Sequence, residues 1–155
     1  MTICTHSRKC LFGQINEGEM IFNNFAKIIH NEWIKTGQIR ENVKLDEFVI
    51  MPNHLHGIIF ISNDDRRGVL QYAPTNEFRS PSQTIGSIIR GFKSTTTKQI
   101  NKSRNTPRLP LWQRNYYEHV IRNDDDDLND IREYIINNPL KWDLDKENPT
   151  NQLIN

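Results

Sequence analysis

Val43-Lys44-Leu45-Asp46-Glu47-Phe48-Val49-Ile50-Met51-Pro52-Asn53-His54-Leu55-His56-Gly57-Ile58-Ile59-Phe60-Ile61-Ser62 is the stretch from which the fold is read. Residues 43–51 are rich in Val, Ile and Phe, whose branched and aromatic side chains suit a pleated strand. Pro52-Asn53 makes a short turn, and residues 54–62 read as a second strand, so an antiparallel hairpin is predicted. From Gly57 to Ile61 both alternating faces are apolar, which argues for a central strand covered on both sides.

Working outward, residues 2–5 look like the end of another strand. Residues 22–36 carry Phe22, Phe25, Ile28, Ile29 and Trp33 at the spacing of one helical face, with Asn23 or Asn24 as cap and Gly37 at the end. Residues 63–82 are polar and interrupted by Gly68, Pro74 and Pro81, which predicts a long loop. A second helix is expected over residues 84–102, with Ile85, Ile88, Ile89, Phe92 and Ile100 facing inward. A basic loop containing Pro107 and Pro110 follows, then a strand over residues 116–122. A third helix over residues 125–138 begins on acidic residues, favourable at a helix N-terminus, and stops at Pro139. The order β-α-β-β-α-β predicts an α+β, ferredoxin-like split βαβ antiparallel sheet with helices on one face and an additional C-terminal helix. Residues 1–155 are read as a single domain, with residues 140–155 a polar tail anchored by Trp142 and Leu144.

Composition narrows the function classes. The chain of 155 residues is 35% hydrophobic, enough for one small core. No apolar run is long enough to span a bilayer, and no basic-then-apolar leader opens the chain, so a soluble cytoplasmic protein is expected. Cys4 and Cys10 are too few for a disulfide framework and lack metal-finger spacing. The net charge of +1 conceals a block. Between Phe78 and Tyr117 there is no acidic residue, but there are Arg79, Arg90, Lys93, Lys98, Lys102, Arg104, Arg108 and Arg114. Asp124-Asp125-Asp126-Asp127 then cancels them. A local basic block is the footprint of a polyanion binder, although a solvated helix face and loop accounts for it equally well.

His54-Leu55-His56 is the sharpest local feature. Residues two apart on a strand share a face, so both imidazoles project side by side and can form half of a divalent-metal site. Two polar residues at an exposed strand end are the plainer reading. Tyr134 and Asn138 lie four apart on one face of the third helix. A tyrosine there can be a boundary residue of the core, or a nucleophile toward phosphorus beside a metal. Tyr116 and Tyr117 fall on opposite faces of the expected last strand and are assigned to packing or DNA contact, as is His119.

Three separated segments resemble the REP-associated tyrosine transposases and related insertion-sequence transposases. They are Leu45-Asp46-Glu47-Phe48-Val49-Ile50-Met51-Pro52-Asn53-His54-Leu55-His56-Gly57-Ile58-Ile59, Trp112-Gln113-Arg114-Asn115-Tyr116-Tyr117-Glu118-His119 and Arg132-Glu133-Tyr134-Ile135-Ile136-Asn137-Asn138-Pro139. The resemblance implies a single-tyrosine nuclease in which His54, His56 and Asn138 bind Mg²⁺ or Mn²⁺. It also implies that Tyr134 becomes joined to a 5′-phosphate as a 3′-hydroxyl departs. Single-stranded or hairpin DNA is the implied partner, with a homodimer left open. Arg90, Lys93, Lys98, Lys102, Arg104, Arg108 and Arg114 are the expected backbone contacts, and Trp112, Tyr116 or Tyr117 the expected stacking platforms. Family members carry further residues ahead of the segment matching Thr2-Ile3-Cys4-Thr5, so Met1 falls inside the first strand, implying a misplaced start or a truncation.

The competing readings are a rolling-circle replication or conjugation nuclease, a non-catalytic DNA-binding module derived from a transposase, and a metal-dependent hydrolase of small molecules. The last needs a closed pocket but not the basic stretch.

Overall fold

The computed structural model describes residues 1–62, 84–121 and 125–154, and the side chains of all of these except Asp125 and residues 152–154. The expected loop over residues 63–82 lies outside the described residues, as does Arg79. In chain order the elements are β1 (Thr2–Cys4), β2 (Gly13–Asn16), β3 (Glu19–Phe22), α1 (Asn24–Gln38), β4 (Val43–Ile50), β5 (His54–Ile61), α2 (Ile85–Ser103) and α3 (Asp125–Ile136). Short 3₁₀ helices follow over Pro139–Leu144 and Pro149–Ile154.

The hairpin read from the sequence is the heart of the fold. β5 is the middle strand of an antiparallel sheet ordered β1-β5-β4. The register slips by one residue between Leu45 and Phe48, a β-bulge in β4. Beyond β1, the chain from Leu111 to Tyr117 forms the edge. His6 N–H donates to Leu111 O at 2.8 Å, Gln113 N–H to Cys4 O at 2.9 Å, and Thr2 and Tyr117 exchange bonds of 2.7 and 2.9 Å. The sequence of edge segment, β1, β5 and β4 is the expected ferredoxin-like order.

The edge differs from the strand expected over residues 116–122. Its backbone pairs with β1 only at Trp112 and Tyr117, and Val120 is exposed. Just ahead of the expected strand, Lys93 Nζ donates to the carbonyls of Gln113, Arg114 and Asn115 at 2.9, 3.4 and 2.8 Å. Those carbonyls are turned to the helix instead of to a strand. The β2–β3 hairpin was not anticipated either. Its turn places Glu17 and Gly18 at φ of 51° and 79°, the doubly positive geometry of a two-residue hairpin loop.

α1 and α2 pack on one sheet face. Asn23 caps α1 by accepting from the Phe25 and Ala26 N–H groups, and Thr84 caps α2 by accepting from Ser87 N–H. Trp33 of α1, Ile89 and Phe92 of α2, Ile3 and Leu55 of the sheet, and Trp112 of the edge share one buried core. Gly57 is where α1 approaches the sheet: a β-carbon there would come within 2.6 Å of Trp33 Cζ2 and 3.3 Å of Phe48 Cβ. Gly57→Ala is therefore expected to destabilise the protein by about 1–3 kcal/mol through overpacking, seen as a lowered thermal midpoint. α3 lies against β4, where Arg132 Nε donates to Asp46 Oδ2 at 2.8 Å and its Nη2 approaches the same oxygen at 2.7 Å. Asp46 sits in the bulge, which turns it toward α3. Among the described residues, no helix is long and apolar enough to cross a membrane.

Candidate active site

Strand alternation sends Leu55 into the helix-covered core and leaves His54 and His56 together on the opposite face. Their rings meet edge to face, with centroids 4.5 Å apart. They are not an exposed strand end: His54 is 0% exposed and His56 6%.

Each ring is fixed through its Nδ1. Asn53, itself fully buried, donates from Nδ2 to Arg8 O at 3.0 Å and to Glu147 O at 2.6 Å. Both of its amide hydrogens are thereby used, which orients Oδ1 toward His54 Nδ1 at 2.8 Å. His54 Nδ1 is therefore the protonated nitrogen, and Nε2 carries the lone pair. On His56, Nδ1 shares a 2.7 Å hydrogen bond with the Thr2 hydroxyl, its partner across the β1–β5 register. Burial pushes His54 down to about 4, opposed by the Asn138 amide, and pushes His56 down to about 3, with His54 adding to the effect. Both imidazoles are thus neutral at neutral pH, the form that ligates metals.

The remaining side of the site comes from α3 and the chain after it. Tyr134 is 46% exposed, and its ring centroid stands 5.4 Å from that of His56 in the same chain. Asn138, one turn on, is 2% exposed. Trp142 leans over His54 with ring centroids 6.1 Å apart, and Asp145 Oδ2 lies 3.7 Å from His54 Nε2. Burial raises the Asp145 carboxyl above the usual carboxylate range. His54 Nε2, His56 Nε2, Asn138 Oδ1 and Asp145 Oδ2 are all buried without a hydrogen-bond partner. Buried polar atoms are seldom left in that state. His54 Nε2, Asn138 Oδ1 and Asp145 Oδ2 offer electron pairs, and His56 Nε2 does so in the tautomer whose Nδ1–H donates to the Thr2 hydroxyl. The ligating atoms of His54, His56 and Asp145 lie within 4.8 Å of one another. The donor set suits a divalent cation.

The structure thus brings together Tyr134, His54, His56 and Asn138. Sequence reasoning missed Asn53 and Asp145. The segment expected as a polar tail is folded against the histidines, with Glu147 and Asn148 buried. Of the two expected anchors, Trp142 docks beside His54, whereas Leu144 is exposed and anchors nothing.

The basic residues divide into two groups. Lys93, Lys98, Lys102, Arg108 and Arg114 line a cleft of about 840 Å³ between α2 and the loop before the edge segment. Lys93 also serves the edge carbonyls. Arg90 and Arg104 are not in the lining; Arg104 Nε and Nη2 donate to Asn101 Oδ1 at 3.0 and 2.7 Å. Trp112 is corrected from stacking platform to core residue: it is buried, and its Nε1 donates to Thr96 Oγ1 at 2.9 Å. Tyr117 is exposed. The thiol of Cys4 is pushed up to about 12, first by burial and then by Glu147, which makes it unreactive.

No family model matches the chain. A Haemophilus influenzae protein of uncharacterized function is 42% identical over 150 residues, covering 94% of this chain and 82% of that protein. A second H. influenzae protein, provisionally named a REP-associated tyrosine transposase, is 33% identical over 95 residues, or 59% of this chain and 47% of that one. The solved structure of a REP-associated tyrosine transposase bound to a REP hairpin superposes with a TM-score of 0.56 at 20% identity, covering 90% of this chain and 64% of that one. The chain therefore spans about half of the named relative and just under two thirds of the solved transposase.

Fold and sequence together define a transposase-related α+β protein. The chain resembles the REP-associated tyrosine transposases in fold and, over part of its length, in sequence.

Proposed function

We propose that this protein cleaves and rejoins single-stranded DNA through a covalent Tyr134–DNA intermediate, using Mg²⁺ or Mn²⁺ held by His54, His56 and Asn138. The observation that carries this reading is the set of unpartnered lone pairs on those three residues beside an exposed tyrosine. The metal, when bound, polarises the scissile phosphate and offsets charge that develops on it. The phenolic oxygen of Tyr134 attacks phosphorus and forms the new P–O bond. The P–O3′ bond breaks, the 3′ oxygen keeps the electron pair, and it takes up from solvent the equivalent of the proton the phenol loses. Attack by another 3′-hydroxyl reverses the step, so the bond energy is conserved through the exchange. Asn53 and Thr2 hold the two rings with their Nε2 atoms toward the site, an outer-shell role. The Tyr134 ring stands 5.4 Å from that of His56 in the same chain, which supports a constellation supplied by one chain.

The cleft between α2 and the following loop is proposed to follow the DNA backbone, and exposed Tyr117 to contact bases. The hairpin held by the solved relative makes a hairpin DNA the substrate of choice for this cytoplasmic enzyme. Replacing Lys98, Lys102 and Arg108 together by Gln is expected to weaken binding of single-stranded DNA. It should also reduce the slope of log K against log salt by about 2, measured by fluorescence anisotropy across a salt series.

The deciding test is covalent trapping with end-labelled hairpin DNAs drawn from the flanks of the gene, in Mn²⁺ or EDTA. A metal-dependent adduct that keeps the label 3′ of the cut supports the reading. Salt-sensitive DNA binding with no adduct from folded protein refutes it in favour of a non-catalytic binding module.

A further inference from the structure

We infer that Asp145 is a fourth ligand of the same metal centre, delivered by the C-terminal segment and locked in place through Asn53 and Glu147. This rests on the reading of His54, His56 and Asn138 as ligands and adds to it an oxygen donor and a negative charge.

The two carboxylate oxygens of Asp145 are in different situations. Oδ1 accepts from Glu147 N–H at 2.7 Å, which fixes the plane of the carboxylate. Oδ2 is buried without a partner and lies 3.7 Å from the free Nε2 of His54. That separation is too long for a hydrogen bond. It suits two ligands of one ion: donors roughly 2.1 Å from a shared metal sit about 3.0 to 4.2 Å apart, depending on whether they are adjacent or opposite. All donor atoms of the group lie within 4.8 Å of one another, so a pair at that limit closes by roughly 0.6 Å if opposite on the ion and by roughly 1.8 Å if adjacent.

The segment is not laid loosely over the site. Glu147 Oε2 accepts from Arg8 Nε at 2.6 Å and from Cys4 Sγ at 3.6 Å, while Glu147 O accepts from Asn53 Nδ2 at 2.6 Å. The amide that sets the tautomer of His54 therefore also holds the backbone two residues beyond Asp145. Both donors are positioned by one side chain, and Glu147 is a positioning residue.

The test is titration of the DNA-free full chain with Mn²⁺ by calorimetry, together with the visible spectrum of the Co²⁺ form. Circular dichroism checks that each variant is folded. Asp145→Asn is expected to weaken Mn²⁺ binding about 100-fold, the upper limit for losing an outer-shell partner, and to change the Co²⁺ spectrum. Asp145→Glu should retain most of the affinity with a shifted spectrum, and Glu147→Gln should lose less than Asp145→Asn. Unchanged affinity and spectrum in Asp145→Asn, with binding abolished in His54→Ala, overturns the role of Asp145 and leaves the histidine site standing. If Asp145→Asn does not fold, a wild-type Co²⁺ spectrum in Asp145→Glu overturns it equally. A wild-type protein that binds neither ion overturns the metal reading itself.

Discussion

Tyr134→Phe is expected to abolish the covalent protein–DNA adduct and to lower strand cleavage by at least about 10³-fold, as removal of a covalent nucleophile does. The substitution deletes one oxygen. The ring keeps its edge-to-face contact with His56, and the residue is half-exposed, so folding stability should stay within about 0.5 kcal/mol. Mn²⁺ affinity should also be unchanged. That separation makes the result interpretable on a denaturing gel beside a thermal melt: chemistry is lost, and fold and metal are not. An adduct that persists moves the nucleophile to the edge segment. There Tyr117 is exposed, whereas Tyr116 is partly buried beneath the Lys93 ammonium at 5.7 Å.

Asn53→Ala is expected to have the largest effect on stability. It leaves the His54 Nδ1–H and the carbonyls of Arg8 and Glu147 without their partner in a buried place. Each orphaned group costs about 1–3 kcal/mol, not fully additively, so a total of roughly 3–5 kcal/mol is expected. For a chain of this size that lowers the thermal midpoint by about 10–15 °C. The His54 ring also loses what holds its orientation, so Mn²⁺ affinity should fall with stability. A midpoint within about two degrees of wild type would show that the Asn53 network carries little weight.

Much of this fold is legible from periodicity, because the hairpin over residues 43–61 and helices α1, α2 and α3 express their burial in strict spacing. The two apolar faces of residues 57–61 predicted a covered central strand, but β5 is central where β1 pairs with His54, Leu55 and His56, and Phe60 is 42% exposed. The edge strand was placed too late in the chain: backbone pairing with the first strand runs from Leu111 to Tyr117, where Lys93 also ties down three carbonyls. The β2–β3 hairpin was passed over because its strands are only four residues long and mix polar with apolar positions. Gly18 was its only turn signal.

Within the site, His54 and His56 were read from spacing, whereas Tyr134 and Asn138 needed the family resemblance. Asp145 and Glu147 were invisible. Each is one acid in a polar run, and its burial depends on pairing with Arg8 or His54 far away in the chain. Asn53 was taken for a turn residue, which it is. Its second task, holding three groups at once, appears only when residues 8 and 147 are beside it.

The spans that Asn53 and Glu147 bridge bear on how the molecule is assembled. Asn53 to Glu147 closes a loop of 94 residues, and Arg8 to Glu147 one of 139. The β4–β5 hairpin closes over a two-residue turn. Loop closure over long spans carries the greater entropic cost and slows the contacts that depend on it. In refolding, the sheet and its helices should therefore be in place before the carboxylate end of the site seats, so full-strength metal capture marks the last step of folding.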